Sequence, residues 1–205
     1  MRDLCTLNQK QLDALRELGN IGCGNAATAL AQFLNRRISM SVPNAQILPF
    51  SKVAELAGGP EERVMGIYLR VLGKIKGSFL LLMPERTTIR MLKILIPTST
   101  VEIPLKINDF ERSCLCEMGN ILAGSFLNAL SAIVNVPMFN SIPSLAFDMA
   151  GALIDSVILG MGDVGDHVLM VETMFTDNQE NLKMHIFLLP DPVSLELILS
   201  AIGVN

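Results

Sequence analysis

The chain carries one eight-residue pattern twice, and this repetition constrains its fold more than any other feature of the sequence. Residues 13–20 read Asp-Ala-Leu-Arg-Glu-Leu-Gly-Asn, and residues 113–120 read Ser-Cys-Leu-Cys-Glu-Met-Gly-Asn. In each copy a proline follows the final Asn at the same distance, Pro43 after Asn20 and Pro143 after Asn120. A period of about 100 residues is far longer than that of solenoid repeats and predicts two similar halves.

Each copy places three polar side chains on one face of a predicted helix, because residues at i, i+4 and i+7 share a face. The first stripe is Asp13, Glu17 and Asn20, and the second is Ser113, Glu117 and Asn120. A carboxylate accepts hydrogen bonds and attracts cations, whereas an amide both donates and accepts, so it orients a water without being a strong base. One Glu and Asn pair alone is usually a solvated helix face, but its recurrence makes a functional site an equal alternative.

Glycines lie beside both pairs, at Gly19, Gly22, Gly24, Gly119 and Gly124. Each costs a helix roughly 1 kcal/mol relative to alanine. Their presence inside a helix therefore predicts that another element packs closely against it.

The composition bounds the class of protein. Of 205 residues, 50% are hydrophobic and 18% are charged, which provides a sizeable core in one domain or a closely fused pair. The net charge of −4, with no Trp and one Tyr, argues against nucleic-acid binding. The N-terminal segment lacks the apolar region of a secretory signal, and no uninterrupted apolar run reaches the roughly 18 residues of a membrane span. We therefore expect a cytoplasmic protein without membrane insertion.

Cysteine and histidine residues are few and scattered, so neither disulfides nor a zinc site is expected. They are Cys5, Cys23, Cys114, Cys116, His167 and His185.

The hydrophobic pattern predicts the same order of elements in both halves. The first half has a helix at 8–34, a strand at 38–50, a short helix at 52–56, a hairpin of 64–72 and 75–83, and a helix at 84–95. The second half has a helix at 108–134, a strand at 138–145, a hairpin of 167–176 and 182–189, and a helix at 190–202. We expect an α+β fold in which internally duplicated α-β-β-β-α halves, related by pseudo-two-fold symmetry, pack long helices on a largely antiparallel sheet. The strands are expected to pair across the pseudo-two-fold axis.

The duplication also predicts the domain organisation, a single domain over 1–205 made of two repeats at about 7–96 and 107–203. One half alone would have a three-stranded sheet with an open edge. Joining the halves covers such edges, which favours a monomer.

The second half contains a longer and more apolar segment where the first half has only residues 51–59. Residues 145–159 read Leu-Ala-Phe-Asp-Met-Ala-Gly-Ala-Leu-Ile-Asp-Ser-Val-Ile-Leu. In a helix, a stripe would consist of Phe147, Gly151 or Ala150, Ile154 and Ile158. The segment is either a short core helix or an amphipathic helix that docks a partner protein.

The doubled pattern with its two prolines resembles the CheC-type chemotaxis phosphatases, a family that includes the phosphatase CheX and the middle domains of flagellar switch proteins. The resemblance extends from about Leu7 to Ile202 and implies hydrolysis of the aspartyl phosphate of the response regulator CheY. It assigns Asn20 and Asn120 to holding the attacking water. It assigns Glu17 and Glu117 to contacting the regulator's active-site lysine, with Asp13 and Ser113 in support. No metal or cofactor is expected in this chain, because the Mg²⁺ belongs to the regulator.

The resemblance also implies a second partner, the receptor deamidase CheD. The candidate docking residues lie on the apolar segment and are Phe147, Asp148, Met149, Ala152 and Ile154. This segment has no Gln or Glu, so it could occupy a deamidase site without being a substrate.

Two other functions are weighed against the phosphatase. A non-catalytic CheY-P-binding or flagellar-switch-like scaffold has the same fold, but its Glu and Asn pairs would be absent or idle, whereas both are intact here. A nucleotide enzyme is disfavoured because Gly19, Gly22 and Gly24 lie within a predicted helix and do not follow a strand.

Overall fold

The computed structural model describes residues 7–35, 39–49, 52–161, 167–177 and 180–204. Six elements form the first half: α1 (Gln9–Leu34), β1 (Ser39–Pro49), α2 (Val53–Leu56), β2 (Arg63–Gly73), β3 (Gly77–Pro84) and α3 (Glu85–Leu95). Seven form the second: α4 (Asp109–Val134), β4 (Met138–Asn140), β5 (Ser144–Met149), α5 (Ala150–Met161), β6 (His167–Asp177), β7 (Glu180–Pro190) and α6 (Pro192–Ala201). The predicted order is confirmed, except that the strand predicted at 138–145 is two strands.

The two long helices begin and end in the same way. Asn8 and Asn108 are the N-caps, and each forms a capping box with the residue three positions later, Gln11 or Glu111. Such a box satisfies two backbone N–H groups that the helix itself leaves unpaired. Both helices end at an asparagine in the left-handed conformation, Asn35 with φ 48° and Asn135 with φ 53°. These matched ends support the two-repeat organisation, which remains a prediction.

All strand pairings among the described residues are antiparallel, and the strand order is β1-β6-β7-β3-β2-β4, with β5 also paired to β2. The α+β prediction is therefore confirmed. The central pair, β3 with β7, joins the two halves. The first strand of each half does not pair with its own hairpin. Instead β1 pairs with β6, and β4 and β5 pair with β2. Pairing of strands between the two halves agrees with the expectation, but the exchange of the first strands was not foreseen, because alternation identifies a strand and not its partner.

The predicted strand at 138–145 is interrupted at residues 141–143. There the backbone N–H of Ser141 donates to the Arg70 carbonyl oxygen, while the Arg70 N–H donates to Ser141 Oγ. Pro143 has no N–H to continue the ladder. Pairing with β2 resumes at Ser144 and extends to Met149.

Helices cover both faces of the sheet, so the fold has three layers. The larger core packs α1, α3, α4 and α6 against one face, where Met65, Ile67 and Leu69 of β2 are fully buried. A smaller core packs α2 and α5 against the other face, around Leu80 and Leu82 of β3. Successive side chains of β2 and β3 therefore point alternately into the larger and the smaller core, because side chains alternate between the two faces of a strand.

Within the described ranges, α4 alone has the length and apolarity of a membrane span, with a mean hydropathy of 1.2 over the tested window. In that window 44% of the residues are buried inside the fold. Buried core helices can have the same length and apolarity, so these two properties of α4 are weak evidence for a membrane span.

Candidate functional site

Both polar stripes face outward, as predicted. On α1, Asp13, Glu17 and Asn20 are exposed, while Leu15 and Leu18 between them are buried. On α4, Ser113 and Glu117 are exposed, Asn120 is half-buried, and Leu115 and Met118 are buried. Each helix therefore uses its apolar face for the core and leaves its Glu and Asn at the surface.

Glycine at two positions allows the close packing that holds these helices. A Cβ atom on Gly22 of α1 would lie 2.6 Å from the Phe126 ring of α4, and one on Gly119 would lie 2.8 Å from Ile67 of β2. Phe126 in turn meets Phe79 of β3 edge to face, with 5.6 Å between ring centroids. A Cβ on Gly24 would meet no atom within 4 Å, so the packing prediction is confirmed for Gly22 and Gly119 but is wrong for Gly24.

The carboxylates of Glu17 and Glu117 have no hydrogen-bond or ion-pair partner among the residues that the structure describes. An exposed carboxylate without an internal partner is available to a cation brought by another molecule. The predicted contact with a lysine of a partner needs such an available group.

The two residues predicted to support the pairs bond within their own helices. The Asp13 carboxylate accepts from Gln9 Nε2 at 2.8 Å and from the Arg16 guanidinium at 3.0 Å. Ser113 Oγ donates to the Asp109 carbonyl oxygen at 2.8 Å. Neither residue is hydrogen-bonded to the Glu or Asn of its own stripe within the part of the chain that the structure describes, so their supporting role stays a prediction.

The asparagines of the two sites differ in their surroundings. Asn120 Oδ1 accepts a hydrogen bond of 2.7 Å from Asn140 Nδ2, at the end of β4. Asn20 has no side-chain hydrogen bond within the described residues. Sequence reasoning missed Asn140. The two copies of the pattern lie 100 residues apart, so Asn140 is equivalent to Met40. A polar residue in one half where the other half has an apolar one is the signal that could have identified Asn140.

Three cavities among the described residues are lined by side chains other than those of the four Glu and Asn residues. A cavity of about 570 Å³ lies on the opposite face of the sheet, between β2, β3 and α5, and is lined by residues that include Tyr68, Arg70 and Lys76. Small-molecule sites are concave. The exposed pairs instead suit a partner that brings its own cleft to them.

The predicted docking segment is not one helix. Phe147, Asp148 and Met149 lie on β5, opposite Met65, Val64 and Arg63 of β2, and the helix begins only at Ala150. The stripe predicted through Phe147 is therefore wrong, because pairing with β2 determines the local structure. Phe147 is half-buried, with the Arg63 guanidinium carbon 4.7 Å from its ring centroid.

The other candidates on this segment divide by exposure. Asp148, Met149 and Ala152 are exposed, whereas Ile154 is 5% exposed and packs in the smaller core. A partner therefore has access to the first three and none to Ile154.

No group of three or more His, Cys, Asp or Glu side chains in the described part of the chain could hold a metal ion. Cys23, Cys114 and Cys116 are free thiols. Burial raises the pKa of the Cys23 thiol to about 12, which leaves it protonated and unreactive near neutral pH. His185 is buried on β7 and stacks on Phe187, in agreement with its predicted place on a strand.

Comparison with known proteins gives consistent results. A sequence model of the CheC-like family matches residues 11–47 and 110–138, two segments that each contain one Glu and Asn pair. The chain is 38% identical over 202 residues to "CheY-P phosphatase CheC" of Bacillus subtilis (strain 168), covering 97% of both chains. It is 24% identical over 127 residues to "Flagellar motor switch phosphatase FliY" of the same organism, covering 62% of this chain and 33% of that one.

Among solved structures, FliY of Thermotoga maritima superposes with a TM-score of 0.77 at 18% identity, covering 96% of this chain and 98% of the other. At 18% identity this similarity establishes a shared fold and nothing more. The Bacillus subtilis relative is similar over nearly the whole of both sequences, and this level of identity establishes a shared family. The chain therefore belongs to the CheC-like family.

Proposed function

We propose that this protein is a hydrolase that removes the phosphoryl group from the aspartyl phosphate of the response regulator CheY. The observation that carries the proposal is the presence of two Glu and Asn pairs, each at the outward face of a long helix whose apolar face is buried. The near full-length relationship to a protein named CheY-P phosphatase supports the choice of substrate.

The chemistry needs little from this chain beyond positioning. An acyl phosphate is already reactive, so holding a water in line with phosphorus supplies much of the required acceleration. Asn20 and Asn120 carry neutral amides that hold such a water, as the glutamine of small GTPases does. An amide also adds no negative charge beside the phosphoryl oxygens. Glu17 and Glu117 fix the docking by pairing with a lysine of the regulator, which also supplies the Mg²⁺.

A decay assay tests the activity. Adding a catalytic amount of the protein to CheY labelled with [³²P]phosphate is expected to shorten the lifetime of the label, with release of inorganic phosphate. A non-catalytic scaffold of the same fold would bind phosphorylated CheY without shortening that lifetime. Stable binding with an unchanged decay rate would therefore replace the phosphatase proposal by the scaffold alternative.

A second partner is proposed for the surface formed by Asp148, Met149 and Ala152, which we assign to docking of CheD. These side chains lie where β5 ends and α5 begins, and all three are exposed. A surface at such a junction is held on one side by pairing with β2 and on the other by the smaller core. It is therefore preformed for a partner, which lowers the ordering cost of binding.

The change Ala152→Glu is expected to weaken CheD binding by about tenfold or more, because it places a charge in an interface that must desolvate it. The measurement is titration calorimetry with purified CheD. The matched control is Ala132→Glu on the exposed side of α4, which should bind normally. Equal affinity for the two variants would place the CheD surface elsewhere.

A further inference from the structure

We propose that Asn140 is a positioning residue for the second site, and that it holds the amide of Asn120 with its NH₂ group turned outward. The inference rests on the proposed function, and it extends that function to a residue outside the repeated pattern. Asn140 lies on β4, whereas Asn120 lies on α4, so the two residues join strand and helix at the site.

The hydrogen-bond network determines which way each amide points. Asn140 Nδ2 lies 2.7 Å from Asn120 Oδ1 and 3.2 Å from the carbonyl oxygen of Ser141. A backbone carbonyl only accepts, so the atom of Asn140 that faces it must be the NH₂ nitrogen. The atom of Asn120 that faces the same nitrogen must then be an acceptor, which is its carbonyl oxygen. The NH₂ group of Asn120 therefore points away from β4.

Asn140 is itself held in place by the sheet and by α4. In the β2–β4 ladder it is the register partner of Val71, and the next residue, Ser141, exchanges hydrogen bonds with Arg70. At the other end of β4, the Met138 N–H donates to Ser131 Oγ of α4 at 2.9 Å. A donor anchored at both ends of its strand can fix the rotamer of Asn120.

The neighbourhood of Gly124, one helical turn after Asn120, shows that the Asn140 side chain lies against α4. An ideal Cβ on Gly124 would lie 3.5 Å from Asn140 Oδ1, which is ordinary van der Waals distance. The Asn140 amide thus lies across the surface of α4 beside the residue that it orients. The partial burial of Asn120, compared with the exposed Asn20, agrees with this cover.

The arrangement prepares the Asn120 amide for the proposed reaction. Its outward N–H groups are free to donate to a water or a phosphoryl oxygen, and the carbonyl oxygen keeps one lone pair for a water proton. Fixing the side chain beforehand removes an ordering cost from the transition state. In the first half the corresponding position is Met40, which has no hydrogen-bond donor in its side chain. The hydrogen bond from Asn140 to Asn120 therefore has no counterpart at the equivalent position of the first half.

The test uses full-length protein with Asn20→Ala, so that only the second site acts on phosphorylated CheY. Adding Asn140→Met, which copies the first half, is expected to lower kcat about fivefold, the typical worth of one such hydrogen bond. Adding Asn140→Asp is expected to lower kcat by roughly tenfold or more, because a carboxylate cannot donate and turns the Asn120 amide around. KM is expected to stay unchanged with Asn140→Met, since that change alters neither the docking carboxylate nor the charge at the site.

A second readout does not depend on activity. The side-chain ¹H–¹⁵N signals of Asn120, assigned with the Asn120→Ala variant, are expected to shift in both Asn140 variants, while the melting temperature stays within a few degrees. The control Asn128→Met, at an exposed position of the same helix, should change neither the signals nor kcat.

The outcomes separate this inference from the proposed function. Unmoved Asn120 signals, or an unchanged kcat with Asn140→Asp, would overturn the positioning role. If the Asn20→Ala protein itself fails to accelerate the decay of phosphorylated CheY, the phosphatase activity of the second site is rejected. In that case the NMR readout still decides whether Asn140 orients the Asn120 amide.

Discussion

Alanine at both Asn20 and Asn120 is expected to return the decay of phosphorylated CheY to the rate of the regulator alone. Each single change should leave about half of the acceleration if the sites are equivalent, because separate helices carry them and distant sites act additively. Removing both amides leaves no group in the described sites to hold the water, although docking through Glu17 and Glu117 remains. The measurement is the initial rate of phosphate release at a fixed, catalytic concentration of protein.

The control for this pair comes from the same two helices. Asn25 of α1 and Asn128 of α4 are also exposed asparagines, so Asn25→Ala combined with Asn128→Ala removes the same chemical groups outside the repeated pattern. This control should keep full activity. An acceleration that survives in the Asn20→Ala, Asn120→Ala protein would reject the chemistry assigned to the amides.

Aspartate in place of asparagine separates positioning from charge. Asn20→Asp with Asn120→Asp keeps the size of both side chains but replaces each NH₂ donor by a negative oxygen. That oxygen would repel the phosphoryl group, so the proposed mechanism requires activity as low as in the alanine pair. Binding of phosphorylated CheY should also weaken in the aspartate pair and not in the alanine pair.

Features encoded by neighbouring residues were predictable from sequence. The ends of α1 and α4 follow from capping asparagines and the residues one turn later, and the outward placement of Glu17 and Glu117 follows from the helical period. In both cases the deciding interactions lie within one helix. The motif therefore located the candidate site before any tertiary contact was known.

Features that depend on distant partners were not predictable in this way. Pairing across the halves was expected from the duplication, but the choice of the first strands as the ones exchanged rests on ladders such as Ser39 with Thr176, whose members are far apart in sequence. The segment at 145–159 is apolar enough for a strand or a helix, and its pairing with β2 makes residues 144–149 a strand. Asn140 lies beside Asn120 because a side-chain hydrogen bond connects β4 with α4, and the sequence of either element alone does not reveal that bond.

Stability should respond in opposite directions to the same change at two glycines of α1. Gly24→Ala is expected to raise the free energy of unfolding by about 0.5–1 kcal/mol, because alanine favours the helix and a Cβ there meets nothing within 4 Å. Gly22→Ala is expected to lower it by about 1–3 kcal/mol, because its Cβ would overlap the Phe126 ring. Phe126 is fully buried, so it has little space into which to move. Urea denaturation of each variant measures the difference.

Gly119→Ala extends this argument to the functional site. Its Cβ would lie 2.8 Å from Ile67 Cγ2 and 2.9 Å from Cδ1, and Ile67 is fully buried in the sheet. The helix must therefore move away from β2 at the residue before Asn120, or Ile67 must leave its rotamer, at a cost of about 1–3 kcal/mol. We expect phosphate release at the second site to fall together with stability, whereas Gly24→Ala keeps full activity. If Gly119→Ala proved as stable and as active as the unmodified protein, close packing of α4 on β2 would not be what positions Asn120.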